Sequence, residues 1–218
     1  MPLPPHQVHF EPIVGPICAV VTDNADPDAN YRVQVQYATP SGEILSAWAR
    51  VCTLMAGPGR GWACLPEVDD EVLIKFVHGH PDHPIVIGSL HNGKDTVPYD
   101  NADGNNDERI FWSRSEHKFT LFDGDGSEHI TVESSGGETK VELLTSDKAI
   151  NWTSTGDMTF KCADGTFDVD ASGNVEMKAG ANHKAEAGGN IELKAGSNFD
   201  INGSAGVAIK GPQVKVVN

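Results

Sequence analysis

The C-terminal part of this chain repeats at a fixed step of eight residues, and this period constrains the fold more than any other feature. Six octads run without a gap from Gly165 to Pro212. Their third and fifth positions are mostly apolar, whereas the fourth and sixth are mostly Asp, Glu, Lys or Asn. This alternation predicts short β-strands joined by sharp corners of small residues. The predicted inward side chains, which would form a needle core, are Phe167, Val169, Val175, Met177, His183, Ala185, Ile191, Leu193, Phe199, Ile201, Val207 and Ile209.

A strand that recurs every eight residues has too little neighbouring chain to cover its own apolar side. A single-chain β-solenoid usually takes about 18 or more residues per coil. Three chains interlaced around one axis would instead share a core, each supplying every third strand. The period therefore predicts a homotrimer with an intertwined triple-stranded β-helix, whose stability is inseparable from assembly.

The N-terminal part of the chain has the pattern of a compact β domain. Short, β-rich runs are separated by turn residues, and two of them alternate clearly, at Arg32–Tyr37 and Val72–Val77. A closed barrel of five or six strands, of the oligonucleotide/oligosaccharide-binding (OB) type, fits their number and length. The predicted strands are Ile17–Thr22, Tyr31–Tyr37, Ser46–Thr53, Gly61–Leu65, Glu71–Val77 and Ile85–Ser89.

The whole chain is thus predicted to be all-β, with the barrel followed by the needle. We expect an N-terminal extension at 1–15, the barrel at 16–92, a polar linker or strap at 93–117 and the triple-stranded needle at 118–218. The needle is expected to begin with a β-hairpin, in which the runs 118–122 and 128–132 flank the turn residues 123–127.

The net charge and the N-terminal residues argue against nucleic-acid binding and against a secretory signal peptide. The formal net charge is -15, from 31 acidic and 16 basic residues, so nucleic-acid binding is disfavoured. The first residues have neither a basic start nor an apolar run, which argues against a secretory signal peptide and predicts a protein made in the cytoplasm. The four cysteines have no CxxC spacing and are expected to be reduced and buried.

Few residue groups suggest chemistry. The turn with His78, His80, Asp82 and His83 superficially resembles a metal site, but no distant fourth ligand is identifiable. His183 occupies an inward octad position, so three copies would meet near the axis as neutral imidazoles or, alternatively, around an ion. No nucleophile elbow or Cys/His signature is present. The sequence therefore predicts no catalytic residues, no cofactor and no enzyme.

Several ordered runs resemble a known family. The OB domain of VgrG proteins and of phage baseplate assembly protein V spikes is similar to the runs 47–51, 56–62, 70–76, 79–88 and 92–93. The hairpin and the octads extend this resemblance over nearly the whole chain. It implies a central spike of a contractile injection machine, in a phage tail baseplate or related apparatus. Its implied partners are a hub protein on the N-terminal side, a separate tip-capping protein and the target cell envelope.

The chain also departs from that family. Tyr31 and Asp69 stand where many relatives place glycine, so those turns are expected to be built differently. The sequence starts almost directly at the barrel, so the short phage form is expected unless an upstream hub region was removed. The final run 211–218 lacks the His-x-His of some phage tips. Two other hypotheses remain: an OB-fold carbohydrate-binding module on a trimeric stalk, and a monomeric β-helical polysaccharide lyase. The kind of machine stays open.

Overall fold

The computed structural model describes residues 12–39 and 42–215, and within these ranges the chain is all-β apart from two short 3-10 turns. The prediction of an all-β chain is confirmed. The chain divides into two compact units, one ending at Met158 and the other beginning at Thr159. Most of the predicted N-terminal extension, and the last three residues, lie outside the described ranges. The described residues contain no helix long and apolar enough to cross a membrane.

The first unit begins with a β-barrel. Five strands close a ring in the order β1-β7-β8-β4-β2, with β2 pairing back to β1, which confirms the predicted barrel. The β4–β8 pair is parallel, and the other pairs of the ring are antiparallel. The strands of this region are β1 (Ile17–Asp23), β2 (Arg32–Thr39), β3 (Gly42–Leu45), β4 (Ala49–Val51), β5 (Ala56–Gly57), β6 (Arg60–Gly61), β7 (Glu71–Phe76) and β8 (Pro84–Ser89).

The barrel interior is filled by the alternate residues of its strands. Because successive side chains of a strand point to opposite faces, every second residue of β2 and β7 is buried. Tyr37 and Phe76 meet edge to face, with ring centroids 5.5 Å apart. The buried core is Ala19, Val21, Val33, Val35, Tyr37, Ala49, Val72, Ile74, Phe76 and Val86.

A β-bulge interrupts the strand predicted at Ser46–Thr53. Gln36 pairs with Leu45 but Val33 pairs with Ala49, so the chain opposite β2 contains one extra residue. The buried Ser46 bridges this irregularity, since its Oγ accepts a hydrogen bond from the Val35 amide at 3.0 Å. Only Ala49–Val51 therefore forms a barrel strand. The strand predicted at Gly61–Leu65 is wrong: Gly61 ends the small β5–β6 hairpin, and residues 62–65 are irregular.

A second sheet completes the first unit. Five antiparallel strands follow one another as a meander, in the order β13-β12-β11-β10-β9. The predicted hairpin is present as β10 and β11, whereas β9 forms within the segment expected to be a strap. The strands are β9 (Glu108–Trp112), β10 (Lys118–Phe122), β11 (His129–Glu133), β12 (Thr139–Leu144) and β13 (Ala149–Ser154).

The second unit contains the octads and has no paired strands between Thr159 and Lys215. Runs without regular secondary structure alternate with bends or turns that recur every eight residues. The bends coincide with the small residues at which the sequence predicts corners. They lie at Ser172–Gly173, Gly180–Ala181, Gly188–Gly189, Gly196–Ser197 and Ser204–Ala205.

Candidate functional site

The predicted inward side chains of the octads are exposed in the single chain. Exposure of the large apolar members ranges from 53% for Val207 to 72% for Met177, and His183 and Ala185 are exposed as well. Large apolar side chains are normally the most buried residues of a protein. The octads therefore present a regular series of exposed apolar side chains along a backbone that is not paired in a sheet.

The outward positions of the same octads are charged and pair along the strand. In three octads the fourth and sixth residues are a Lys and a Glu whose side chains approach each other. The Nζ–Oε distance is 2.9 Å in three such pairs, namely Lys178–Glu176, Lys184–Glu186 and Lys194–Glu192. Exposed pairs of this kind contribute little stability, but they keep this side hydrated.

The meander sheet also has one exposed apolar side. Cross-strand pairing places Phe111, Phe119, Val132, Val141 and Trp152 in one row across the five strands. A second row on the same side consists of Leu121, Ile130, Leu143 and Ile150, ended by Arg109. We call these nine apolar residues the apolar face. Many of them are at least two-fifths exposed, and Ile150 reaches 64%.

Charge is concentrated on the opposite side of this sheet. Lys118 pairs there with Glu133 at 3.3 Å, and its Nζ lies 4.6 Å from the centroid of the Trp112 ring. Lys140 pairs with Glu142 at 2.8 Å, and Thr131 is buried. The sheet thus inverts the usual arrangement, because its polar side is the better covered one. The apolar face is the more exposed side of the sheet.

The β5–β6 hairpin links the barrel to the edge of the meander sheet. Trp62 meets Phe111 edge to face, with ring centroids 6.2 Å apart. Arg114 Nη1 lies 3.0 Å from an Oε of Glu67, just after the hairpin. Leu54 and Met55 on the same loop are exposed. The segment from Leu54 to Trp62 therefore carries exposed apolar side chains, and Trp62 contacts strand β9.

The candidate chemical groups do not converge. In the histidine turn, His80 Nδ1 lies 3.7 Å from Asp82 Oδ2, and the His80 and His83 rings lie 5.0 Å apart. No group of three His, Cys, Asp or Glu side chains suited to a metal ion occurs in residues 12–39 and 42–215. The four cysteines are all exposed, so their predicted burial is wrong for the single chain. Cys18 is an exposed residue of strand β1, and the other three cysteines lie outside the strands.

One cleft on the barrel was not predicted from the sequence. It has a volume of about 830 Å³ and is lined by Asn30, Arg32, Trp48, Arg50 and His83, among others. Arg32 is held by Asp26, to which its Nε and Nη2 donate hydrogen bonds of 2.8 and 2.6 Å. The guanidinium lowers the pKa of the Asp26 carboxyl far below its usual range. The signal missed in the sequence is the run Trp48-Ala-Arg50, whose place beside Arg32 depends on the bulge.

Comparison with known proteins bears on the barrel. Residues 17–91 match the type VI secretion system/phage-baseplate injector OB domain. The chain is 36% identical over 108 residues to the type VI secretion system spike protein VgrG1c of Pseudomonas aeruginosa, a match that covers 45% of this chain and 14% of the relative. It is 30% identical over 153 residues to VgrG4b of the same organism, covering 63% and 18%.

A relative from another organism matches over the barrel region as well. The type VI secretion system spike protein VgrG3 of Vibrio cholerae is 36% identical over 72 residues, covering 31% of this chain and 7% of that protein. The chain thus spans less than a fifth of the length of each of these relatives. Residues 17–91 thus match the injector OB domain of type VI secretion systems and phage baseplates, and the chain is similar to VgrG-type spike proteins.

Proposed function

We propose that this protein is the homotrimeric central spike of a contractile injection machine, with a structural rather than an enzymatic role. The observation that carries the proposal is the exposed apolar series of the octads, from Phe167 to Ile209. The family relationship of the barrel supports the same role.

The octad unit provides the first argument for three chains. Backbone amides and carbonyls that are removed from water require partners, and the extended runs between Thr159 and Lys215 have none within their own unit in a sheet. Burying each large apolar side chain contributes roughly 1.5–3 kcal/mol. Three copies wound around one axis satisfy both requirements, because each strand gains a neighbour and each inward side chain joins a common core. The twelve inward residues named above form the core of this proposed needle.

The meander sheet provides a second, separate argument. A five-stranded sheet buries one of its sides against another element in a stable domain. Here the charged side chains lie on one side, and the apolar face presents Phe119, Val132 and Leu143 on the other. Two further copies of the same face are suitable covers, since a chain of net charge -15 can approach its copies closely only where it is uncharged.

The proposed assembly suits the transmission of force. Interlocked strands without free edges resist unfolding, and the outward Lys and Glu residues keep the surface soluble. Within this proposal a hub protein attaches on the barrel side, a separate tip protein caps the needle and the target cell envelope is pierced on firing. The spike would be assembled into a phage tail baseplate or an equivalent apparatus.

His183 is the inward octad residue that could hold an ion on the axis of the proposed trimer. Three imidazoles near one axis are satisfied by water or by one another without a metal. We therefore expect inductively coupled plasma measurements to give the same metal content for the purified protein and for His183→Ala. A loss of stoichiometric metal in the variant would instead establish an axial ion site.

The direct test of the proposed function is the mass of the folded protein in solution. Sedimentation equilibrium and native mass spectrometry are expected to give three times the chain mass of 23.3 kDa. Circular dichroism of the same sample checks that the chains are folded and rich in β-structure. A well-folded particle of one chain mass would overturn both the trimer and the needle.

A further inference from the structure

Two arginines lie side by side on adjacent strands of the barrel, outside its buried core. Arg32 on β2 and Arg50 on β4 are directly paired in the antiparallel register. Like charges in such a pair repel each other. The charge of Arg32 is balanced, because its guanidinium contacts Asp26 at 2.6 Å and Asp28 at 2.7 Å. The Arg50 side chain makes no ion pair or hydrogen bond with any residue that the structure describes. Uncompensated positive charge therefore remains at Arg50.

This charge lies at the wall of the cleft. Arg50 lines the cavity of about 830 Å³ together with Asn30, Ala47, Trp48, Val77 and His83. Trp48 is half-buried, and its ring centroid lies 5.9 Å from the central guanidinium carbon of Arg32. The cleft thus combines an apolar wall with side-chain donors. Its acidic residue, Asp82, is 78% exposed and lies near His80, at 3.7 Å.

These features define the chemistry of a ligand. A guanidinium binds a carboxylate through two parallel hydrogen bonds, which are stronger than bonds between neutral groups. The adjacent indole and the side chain of Val77 fit an apolar group next to that carboxylate. The chain as a whole carries a net charge of -15, so a densely anionic polymer is repelled before it reaches Arg50. A peptide with one carboxylate among neutral and basic residues is attracted.

We propose that this cleft binds a carboxylate-bearing segment of a partner protein, with Arg50 as its anchor and Trp48 as its apolar wall. The residues that flank this carboxylate in the partner segment are neutral or basic, which complements the acidic surface of this chain. The proposal concerns the barrel alone and holds for any function of the needle.

The test uses the full-length protein and a pair of blocked synthetic peptides, Lys-Ala-Glu-Leu-Lys and Lys-Ala-Gln-Leu-Lys. Binding is followed by NMR through the indole N–H of Trp48 and the Nε–H of Arg50. We expect saturable shifts of both signals with the glutamate peptide. The glutamine peptide is expected to bind at least about tenfold more weakly, which is the effect of losing one charge-assisted contact. Sodium glucuronate is titrated in parallel as an acidic sugar.

Two substitutions make the test specific. Arg50→Gln is expected to weaken binding of the glutamate peptide about tenfold. Arg60 is an exposed arginine outside the cleft, so Arg60→Gln should leave the affinity for this peptide unchanged. Arg50→Lys keeps the positive charge and the fold but loses the planar guanidinium group. Its affinity for the glutamate peptide should therefore lie between those of the parent protein and Arg50→Gln. Thermal melting of each variant controls for unfolding.

The proposal is overturned by any of four results. These are no saturable shift with the glutamate peptide, equal binding of the two peptides, unchanged binding by Arg50→Gln, or tighter binding of glucuronate than of the peptide. The last result would make the cleft a saccharide site.

Discussion

Asp69 donates its backbone N–H to the carbonyl oxygen of Val21 over 2.9 Å while holding a positive φ of 77°. It stands third in a turn that is closed by a hydrogen bond of 3.2 Å from the Asp70 amide to the Glu67 carbonyl. A positive φ at this place is typical of a type II turn and favours glycine. Tyr31 has a φ of 58°, so both residues that the family resemblance places at glycine positions adopt the left-handed backbone. The barrel therefore carries strain at both turns.

Replacing Asp69 should relieve part of this strain. Asp69→Gly is expected to stabilise the protein by about 1 kcal/mol, because glycine adopts a positive φ without a Cβ clash. The thermal midpoint should rise by about 2–4 °C, measured by circular dichroism. Asp69→Ala is the matched control and should lower it, since alanine keeps the Cβ and tolerates this backbone less well than aspartate. A higher midpoint for the alanine variant would show that the turn is not strained.

The Asp26–Arg32 pair predicts a pH dependence. The hydrogen bonds from Arg32 hold the pKa of Asp26 far below the usual value of about 3.9. A carboxyl whose folded pKa is lowered contributes stability above its unfolded pKa and loses that contribution as the pH falls through the folded pKa. Asp26→Asn should therefore be less stable than the parent protein at neutral pH.

The Asp26–Arg32 pair also determines how the difference in stability between Asp26→Asn and the parent protein changes with pH. Urea unfolding at several pH values should show a constant difference between Asp26→Asn and the parent above about pH 5 and a shrinking one below about pH 4. Asp28→Asn is the control, because the Asp28 side chain is 68% exposed and its substitution should matter less. A difference for Asp26→Asn that is independent of pH would contradict the role of the charge.

The inward assignment of the octad positions can be tested by substituting two neighbouring residues, Ile191 and Glu192. Ile191→Asp places a carboxylate in the proposed needle core and should prevent assembly, since an unpaired buried charge is far more costly than the apolar contact it replaces. Ile191→Ala should cost about 2–5 kcal/mol for each buried copy. Glu192→Gln removes only an exposed pair with Lys194 and should change stability by less than about 0.5 kcal/mol. Analytical ultracentrifugation and chemical unfolding measure both quantities, and equal effects at positions 191 and 192 would refute the inward assignment.

The apolar face of the meander sheet gives a similar comparison. Phe119 and Thr120 are adjacent on β10 and therefore lie on opposite sides of the sheet. Both substitutions to aspartate carry the same strand-propensity cost of up to about 1 kcal/mol. Phe119→Asp should in addition shift the protein from three chains to one, measured by native mass spectrometry. If Thr120→Asp disrupted assembly and Phe119→Asp did not, the polar side would be the interface.

Local pattern was sufficient to predict much of this architecture. Alternation at a period of two identified β2, β7 and the β10–β11 hairpin, because a strand buried on one side must repeat every second residue. The eight-residue spacing of small residues predicted the positions at which the second unit bends. These features depend on residues close together along the chain, so no knowledge of the fold was needed.

Other features depended on distant pairing. Strand β9 follows a polar stretch of the sequence. It forms because β10 pairs with it, with Phe119 opposite Phe111. The bulge before Ala49 depends on Ser46 bonding to Val35, and it places Trp48 and Arg50 beside Arg32 in the cleft.

What the sequence determined by itself is thus the β character of the chain and the octad period with its bends, because each follows from spacing between residues close together along the chain. Which strands pair, where the register shifts and which charges remain uncompensated were decided by the tertiary structure alone. The physical reason is that strand pairing and charge neutralisation join residues far apart in the chain. Such contacts cannot be recognised from the pattern of neighbouring residues.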